Sequence, residues 1–344
     1  MLTVYSEEHK LRDPQTELFG GELVAPFECP ARIEFILARL NDVSLGDVVA
    51  PQSFGIEPLL AIHDGGYLDF LENCWHDWKF AGHNGEAIPL NWPARRMRQD
   101  RVPDCIEGKL GYYAMAAETS ISEGTWQAAR IAVDVALTAQ NHISAGARSA
   151  FALCRPPGHH AAGDLFGGYC FLNNAAIAAQ AMRQAGASRV AILDVDFHHG
   201  NGTQDIFYDR DDVLFLSLHG NPNTCFPFFL GHADETGAGA GEGFNVNFPL
   251  PAGTNFAGWS VALEEACRHI QRFAPDALVV SHGVDTFKDD PISAFTLESE
   301  DFRIYGARLA NLGLPTLFVM EGGYAVEEIG LNTVNVLTGF EDAA

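Results

Sequence analysis

The chain has 344 residues, 47% of them hydrophobic, which suffices for a large core and suits one or two domains. Its formal net charge of −24 is expected to repel nucleic acids and anionic membranes and to attract cationic ligands, although solubility alone explains it equally well. No apolar run reaches the ~18 residues of a membrane span, and seven scattered cysteines without a Cys-x-x-Cys pair argue against a disulfide framework and a four-thiolate zinc site, so we expect a cytoplasmic protein.

The first unusual segment along the chain is residues 82–103, which combines Gly, Pro and Trp with a cluster of arginines. Such a composition predicts a long loop, and loops of this length in compact domains are usually functional or disordered. A second domain is the weaker alternative, because the segment is too short for a core of its own.

Short β-rich apolar runs alternate with helical patterns in the second half of the chain. The predicted strands are Val190–Leu193, Val213–Leu218, Ala277–Ser281 and Thr316–Met320. The predicted helices are Asn173–Ala185, Phe256–Phe273, Ser299–Leu312 and Val326–Gly339. This alternation is typical of βα units on a parallel sheet, in which ligands bind beyond the carboxyl ends of the strands.

A pair of adjacent histidines, His159 and His160, follows a Pro-Pro-Gly turn. In a turn both rings can face one cleft, where they can serve as general base and general acid. Taken alone, the segment is equally well explained by an ordinary turn with two surface histidines.

The strongest signal is a group of carboxylates and imidazoles at the end of the first predicted strand. Asp194, Asp196 and His198 are spaced two apart, so in extended backbone they share a face. Metal binding by Asp196 and His198 is favoured over a plain polar loop, because an aspartate among apolar residues needs a partner. Asp285, just past another strand, completes three ligands with one open position, the usual arrangement of a catalytic zinc.

Two glycine-rich turns are weaker signals. Tyr324 follows a double glycine after the last predicted strand and can donate a hydrogen bond to a developing oxyanion, although such a tyrosine is more often simply packed. The segment 167–174 lacks the lysine of a phosphate-binding loop, which argues against a nucleotide site. Tyr169 within it lines a tunnel or belongs to the core.

Together these segments resemble the histone deacetylase superfamily. The resemblance is carried, in the family's order, by residues 155–160, 167–174, 194–203, 217–220, 283–285 and 321–324. In the first half, residues 6–12, 16–22 and 106–113 resemble bacterial acetylpolyamine amidohydrolases. The resemblance implies the arginase–deacetylase fold, a single α/β domain with a central, mostly parallel eight-stranded sheet flanked by helices. It also implies an inserted loop at about residues 82–115.

The family's metal sites carry over residue by residue. The resemblance implies that zinc is held by Asp196, His198 and Asp285, a set that also accommodates iron or cobalt. It further implies a structural potassium ion, with ligands from Asp194, Asp196, His198, Ser217 and Leu218.

The resemblance also assigns the catalytic roles. His160 is implied to be the principal general base and acid, and His159 its electrostatic partner. Asp194 is implied to orient His159, and Tyr324 to polarise the carbonyl together with the metal.

Two residues depart from the pattern of many relatives. Asn201 stands where an aspartate lies behind the second histidine, and an amide cannot stabilise an imidazolium as a carboxylate does. His282 stands where a small residue is common, and we expect it either to alter packing or to pair with a carboxylate.

The resemblance further implies a narrow apolar tunnel with walls formed by Tyr169 and Phe226. Glu17 and Glu107 are expected at its mouth, with Glu118 a weaker candidate, to bind a cationic tail. The inserted loop is implied to mediate a homodimer that narrows the mouth. The alternative is that Glu17 and Glu107 are ordinary surface carboxylates.

The predicted function is therefore zinc-dependent hydrolysis of acetylated polyamines of the acetylputrescine, acetylcadaverine and acetylspermidine type, releasing acetate and free amine. A protein acetyl-lysine deacetylase is the nearest alternative, and a non-catalytic binder of acetylated amines is less favoured. A two-manganese ureohydrolase of the arginase type is disfavoured by the histidine pair and Tyr324.

Overall fold

A computed structural model describes residues 1–343 of the chain. At its centre lies an eight-stranded sheet in which all neighbouring strands pair in parallel. In order across the sheet, the strands are β4 (Val48–Val49), β1 (Leu2–Val4), β5 (Ser149–Ala152), β10 (Thr316–Met320), β9 (Ala277–His282), β6 (Val190–Asp194), β7 (Val213–Gly220) and β8 (Asn245–Leu250). A separate antiparallel hairpin consists of β2 (Glu17–Phe19) and β3 (Glu22–Val24).

Helices cover both faces of the sheet. They are α1 (Ala31–Val43), α2 (Glu57–Leu60), α3 (Gly65–Phe80), α4 (Ile106–Tyr112), α5 (Thr125–Ser144), α6 (Asn174–Gln184), α7 (Asn201–Phe207), α8 (Phe256–Phe273), α9 (Ser299–Ala310) and α10 (Val326–Asp342). One apolar core joins the sheet to α1, α8, α9 and α10, and a second joins its other face to α5, α6 and α7. Within residues 1–343, no helix combines the length and apolar character needed to cross a membrane.

The central strands form because their apolar runs are covered on both sides. Every residue of β6, β7, β9 and β10 is buried, and continuous apolar runs are typical of such strands in parallel sheets. Strand β10 has the predicted bounds, and the other three extend only one or two residues further. The predicted α/β fold is therefore confirmed.

The predicted long loop is shorter than expected. Residues 106–112 of the segment predicted as a loop form α4, so the prediction was wrong at its C-terminal end. The physical reason is that Ile106 and Leu110, four residues apart on one helix face, are buried in a third apolar cluster with Tyr67 and Phe166. Residues 82–105 contain no helix or strand apart from an isolated bridge between Ala87 and Ile121.

The loops that carry the candidate functional residues lie at one edge of the sheet. They follow β5, β6, β9 and β10, four neighbouring strands that run in the same direction. Since the carboxyl ends of parallel strands meet at one edge, segments that are far apart in sequence converge there.

Candidate active site

The metal-ligand candidates converge as the sequence predicted. One donor atom from each of Asp196, His198 and Asp285 lies within 4.8 Å of the others, and all three residues are buried. Nδ1 of His198 is 2.9 Å from Oδ2 of Asp285 and 3.3 Å from Oδ1 of Asp196. Two carboxylates and one imidazole thus face a common point, as a divalent cation with mixed N and O ligands requires.

The electrostatics of this group favour a positive charge at that point. Burial by itself lowers the pKa of His198, but hydrogen bonds with Asp196 and Asp285 and their negative charge raise it well above its ordinary value. Gly322 and Gly283 leave the space that Asp196 needs, because a Cβ at either position would lie 2.4 or 2.1 Å from Oδ2 of Asp196. The residues therefore fit a catalytic metal ion.

Asp194 does not belong to the group formed by the three metal-ligand candidates, although the same two-residue spacing predicted a shared face. Its Oδ2 lies 2.9 Å from Nδ1 of His159, and its Oδ1 accepts the backbone N–H of Asp196. The strand ends at Asp194, so extended geometry does not continue to His198. This placement agrees with the predicted orienting contact between Asp194 and His159.

The pKa values of the two histidines of the predicted pair are shifted in opposite directions. Burial lowers the pKa of His159, but the charges of Asp194 and Asp196 outweigh it and raise the pKa to about 10. Burial lowers the pKa of His160 well below its ordinary value, and the neighbouring His159 and His198 lower it further. The ring centroids of the pair are only 4.0 Å apart. The pKa values of the two adjacent imidazoles are thus shifted in opposite directions.

The two departures from the family pattern have distinct surroundings. Nδ1 of His160 lies 2.7 Å from Oδ1 of Asn201, which accepts its hydrogen bond without supplying a charge. His282 is buried between the rings of Phe151 and Phe318, and burial lowers its pKa to about 4. Among residues 1–343, no carboxylate pairs with either nitrogen of His282, so it packs as an aromatic ring.

A cavity of about 260 Å³ leads to the buried group. His160, His198 and Tyr324 lie on its wall, and the ring of Tyr169 packs edge-on against Tyr324 at 5.5 Å. The remaining lining residues are Glu17, Phe19, Glu118, Gly168, Phe226, Phe228 and Ile292. The predicted wall residues Tyr169 and Phe226 therefore line this cavity.

The three predicted substrate carboxylates have different surroundings. Glu17 is only 2% exposed and accepts hydrogen bonds from the Tyr169 hydroxyl at 2.6 Å and the Phe27 N–H at 3.0 Å. Burial raises the pKa of Glu17. Glu118 accepts the N–H of Gly168 at 2.7 Å. Glu107 is exposed, lies 2.8 Å from Nε2 of His83, and is not among the residues that line the cavity.

The predicted potassium ligands lie together on β6, β7 and the loop after β6. Asp194 is paired in register with Ser217, and Leu218 follows on β7. The Ser217 hydroxyl lies 2.8 Å from Nδ1 of His219.

Two acidic residues near the site were not singled out from the sequence. The Glu321 side chain accepts the backbone N–H groups of Gly158 and His159, at 2.6 and 3.1 Å. Asp290 accepts the backbone N–H of Tyr324 at 2.7 Å. Glu321 had a sequence signal, since it opens the double-glycine turn, whereas Asp290 had only its nearness to Asp285.

Comparison with known proteins places this fold and site in a family. The histone deacetylase domain matches residues 26–340. The chain therefore belongs to the histone deacetylase family, whose members are generally metal-dependent, and it is a hydrolase of amide bonds, as predicted.

Within that family, the chain is similar over its whole length to one group of enzymes. It is 59% identical to acetylpolyamine amidohydrolase 1 of Pseudomonas aeruginosa, with 100% of both chains covered. It is 56% identical to the acetylpolyamine amidohydrolase of Mycoplana ramosa, covering 98% of this chain and 99% of that one. The crystal structure of acetylpolyamine aminohydrolase from Burkholderia pseudomallei has a TM-score of 0.95 and 40% identity, covering 100% and 99%.

Proposed function

We propose that this protein is a zinc-dependent amidohydrolase that removes the acetyl group from acetylated polyamines. The observation that carries the proposal is a cavity with the carboxylates of Glu17 and Glu118 in its wall, which reaches His160 and His198, the latter grouped with Asp196 and Asp285. Full-length similarity to enzymes named for that activity supports the same substrate class.

The metal ligands are proposed to be Asp196, His198 and Asp285. Zinc bound there would polarise the acetyl carbonyl and lower the pKa of water to about 7, and iron or cobalt suits the same ligands. We further propose that potassium binds near the carboxyl end of β6, where Asp194 lies beside Ser217 of β7.

The chain's own residues move the proton and stabilise the charge. Neutral His160 accepts the proton of the attacking water, and charged His159 beside it stabilises the developing negative charge. Tyr324, whose pKa burial raises, stays protonated and donates a hydrogen bond to the acetyl oxygen. His160 then returns a proton to the amine nitrogen as the C–N bond breaks, so that acetate and the free amine leave.

The cavity supports a slim cationic substrate. Aromatic side chains of Tyr169, Phe226 and Phe228 line it, which suits a polymethylene chain. Glu17 and Glu118 supply negative charge for the ammonium group of a polyamine, whereas an acetyl-lysine peptide must also fit its backbone at the mouth.

The predicted homodimer and the role of Glu107 belong together. Glu107 does not line the cavity of a single chain. It can therefore contribute to the cavity mouth only in a homodimer. The nearby loop exposes 79% of Leu90 and 63% of Met97, apolar surface that an interface would cover. We therefore propose both the homodimer and the contribution of Glu107 to its cavity mouth.

The first experiment measures acetate released by the zinc-loaded protein from N-acetylputrescine and from an acetyl-lysine peptide in parallel. Strong preference for N-acetylputrescine is the expected result. Preference for the peptide would replace the proposal with lysine deacetylation. Acetate from neither substrate, in protein that holds its metal, would favour a non-catalytic binder.

Variants of the carboxylates test substrate recognition. Glu17→Gln should raise KM for N-acetylputrescine and leave KM for neutral N-butylacetamide unchanged, because only the first carries an ammonium group. Glu22→Gln is the matched control, since it removes an exposed charge from the same hairpin. An equal change in KM for both substrates would contradict the role of Glu17. An unchanged KM for N-acetylputrescine in Glu107→Gln would contradict the proposed role of Glu107 at the mouth.

A further inference from the structure

The backbone of the turn that carries Tyr324 has unusual conformational freedom. Gly322 and Gly323 precede the tyrosine, and Gly323 has a φ of +133°, a conformation that non-glycine residues rarely adopt. Such backbone does not fix the direction of the next side chain by itself. Contacts from outside the turn must therefore determine where the Tyr324 hydroxyl lies.

Three side chains from other elements hold this turn. Oδ2 of Asp196 accepts the N–H of Gly322 at 2.8 Å. Arg32 donates to the carbonyl oxygens of Glu321 and Gly323, at 2.6 and 2.7 Å. The carbonyl of Gly323 belongs to the peptide group that joins Gly323 to Tyr324, so Arg32 holds the carbonyl side of that group, and its guanidinium carbon also lies 4.9 Å from the centroid of the Tyr324 ring.

The N–H side of this peptide group is held by Asp290. Its Oδ2 accepts the N–H of Tyr324 at 2.7 Å and the N–H of Ala325 at 3.2 Å. Its Oδ1 accepts the N–H of Ile292 at 3.1 Å, and Ile292 lines the cavity. Asp290 is only 7% exposed, so water does not readily replace it. One buried carboxylate thus ties two parts of the cavity wall together.

We propose that Asp290 is a positioning residue, which sets the Tyr324 hydroxyl against the acetyl oxygen through these hydrogen bonds. The inference rests on the proposed deacetylation. A carboxylate is required because donors approach both of its oxygens, whereas an asparagine would turn its NH₂ group toward one of them. Misplacement of a reacting group by about 1 Å can cost about a hundredfold in rate, so a small shift of the turn is sufficient.

The test is a double-mutant cycle with Asp290→Asn and Tyr324→Phe. Asp290→Asn should lower kcat for N-acetylputrescine about tenfold to a hundredfold, with metal content retained and a much smaller change in KM. In protein that already carries Tyr324→Phe, the same change should lower kcat little further, because the hydroxyl it positions is absent.

A control separates this role from simple capping of a helix. Asn255 caps α8 by accepting the N–H of Gly258 and does not line the cavity. Asn255→Ala should lower the melting temperature and leave kcat unchanged. If Asp290→Asn does not accumulate as folded protein, Asp290→Ser takes its place, since a hydroxyl can still accept one N–H.

The outcomes separate the two proposals. Wild-type protein that releases no acetate would end the proposed function. Wild-type activity with a normal loss in Tyr324→Phe, but unchanged kcat in Asp290→Asn, would overturn only the role of Asp290. Losses that multiply in the double variant would overturn it too, because Asp290 would then act independently of the tyrosine.

Discussion

At the scale of single residues, the neighbours of each side chain in the site determine its pKa. The charges of Asp194 and Asp196 raise the pKa of His159, burial lowers that of His160, and burial raises that of Tyr324. Each shift depends on the immediate neighbours, so each can be tested by one substitution.

Removing the Tyr324 hydroxyl should affect turnover and not metal binding. Tyr324→Phe keeps the ring that packs on Tyr169 and removes one oxyanion donor, a change that typically costs ~10²–10³ in kcat. Steady-state kinetics and metal analysis of the same preparation check it. Near-normal turnover in metal-loaded protein would exclude the role of Tyr324.

Asn201, the uncharged hydrogen-bond partner of His160, should influence the pH below which activity is lost. Asn201→Asp would place a negative charge at the position now 2.7 Å from Nδ1 of His160, which favours the imidazolium and raises its pKa. Since the base must be neutral, the acidic limb of the kcat/KM profile should move to higher pH. An unshifted limb would argue that another group takes the proton.

At the scale of elements, the entry to α6 depends on one buried imidazole. Nδ1 of His63 lies 2.9 Å from the carbonyl oxygen of Ala162, and its Nε2 accepts the N–H of Asn173, the residue that caps α6. This geometry requires the neutral ring, and burial lowers the pKa of His63 to about 4.

The pH dependence of stability follows from this shift. Below about pH 6.5 the unfolded chain binds a proton at His63 that the folded protein takes up only near pH 4. The stabilisation is therefore complete above pH 6.5 and lost as the pH falls. Between pH 7 and pH 5 the unfolding free energy of the wild-type protein should fall by about 2 kcal/mol more than that of His63→Gln, which lacks this imidazole. Denaturant titrations measure it, with the exposed His76→Gln as control.

At the scale of the whole molecule, the net charge of −24 should steer substrates. Raising the ionic strength from about 0.01 M to about 1 M shortens the Debye length from about 30 Å to about 3 Å. kcat/KM should then fall for N-acetylputrescine and remain nearly constant for neutral N-butylacetamide. The same response for both substrates would assign the charge to solubility alone.

The sequence by itself determined the parallel α/β sheet and the family, both of which are confirmed. The apolar runs of β6, β9 and β10 specify strands wherever both faces are covered, and the polar residues just after them specify the edge that carries the site. The segment 106–112 was missed because a short helix gains its stability from packing and not from its local pattern.

Only the tertiary structure decided how the side chains at that edge face one another. Asp194 turns to His159 while Asp196 turns to His198, a difference that spacing cannot predict once the strand has ended. Likewise, Glu17 is buried beside Tyr169 and Asp290 holds Tyr324 from a distance of 34 residues along the chain. Hydrogen bonds between residues distant in sequence depend on how the loops pack, and that packing is a property of the folded chain.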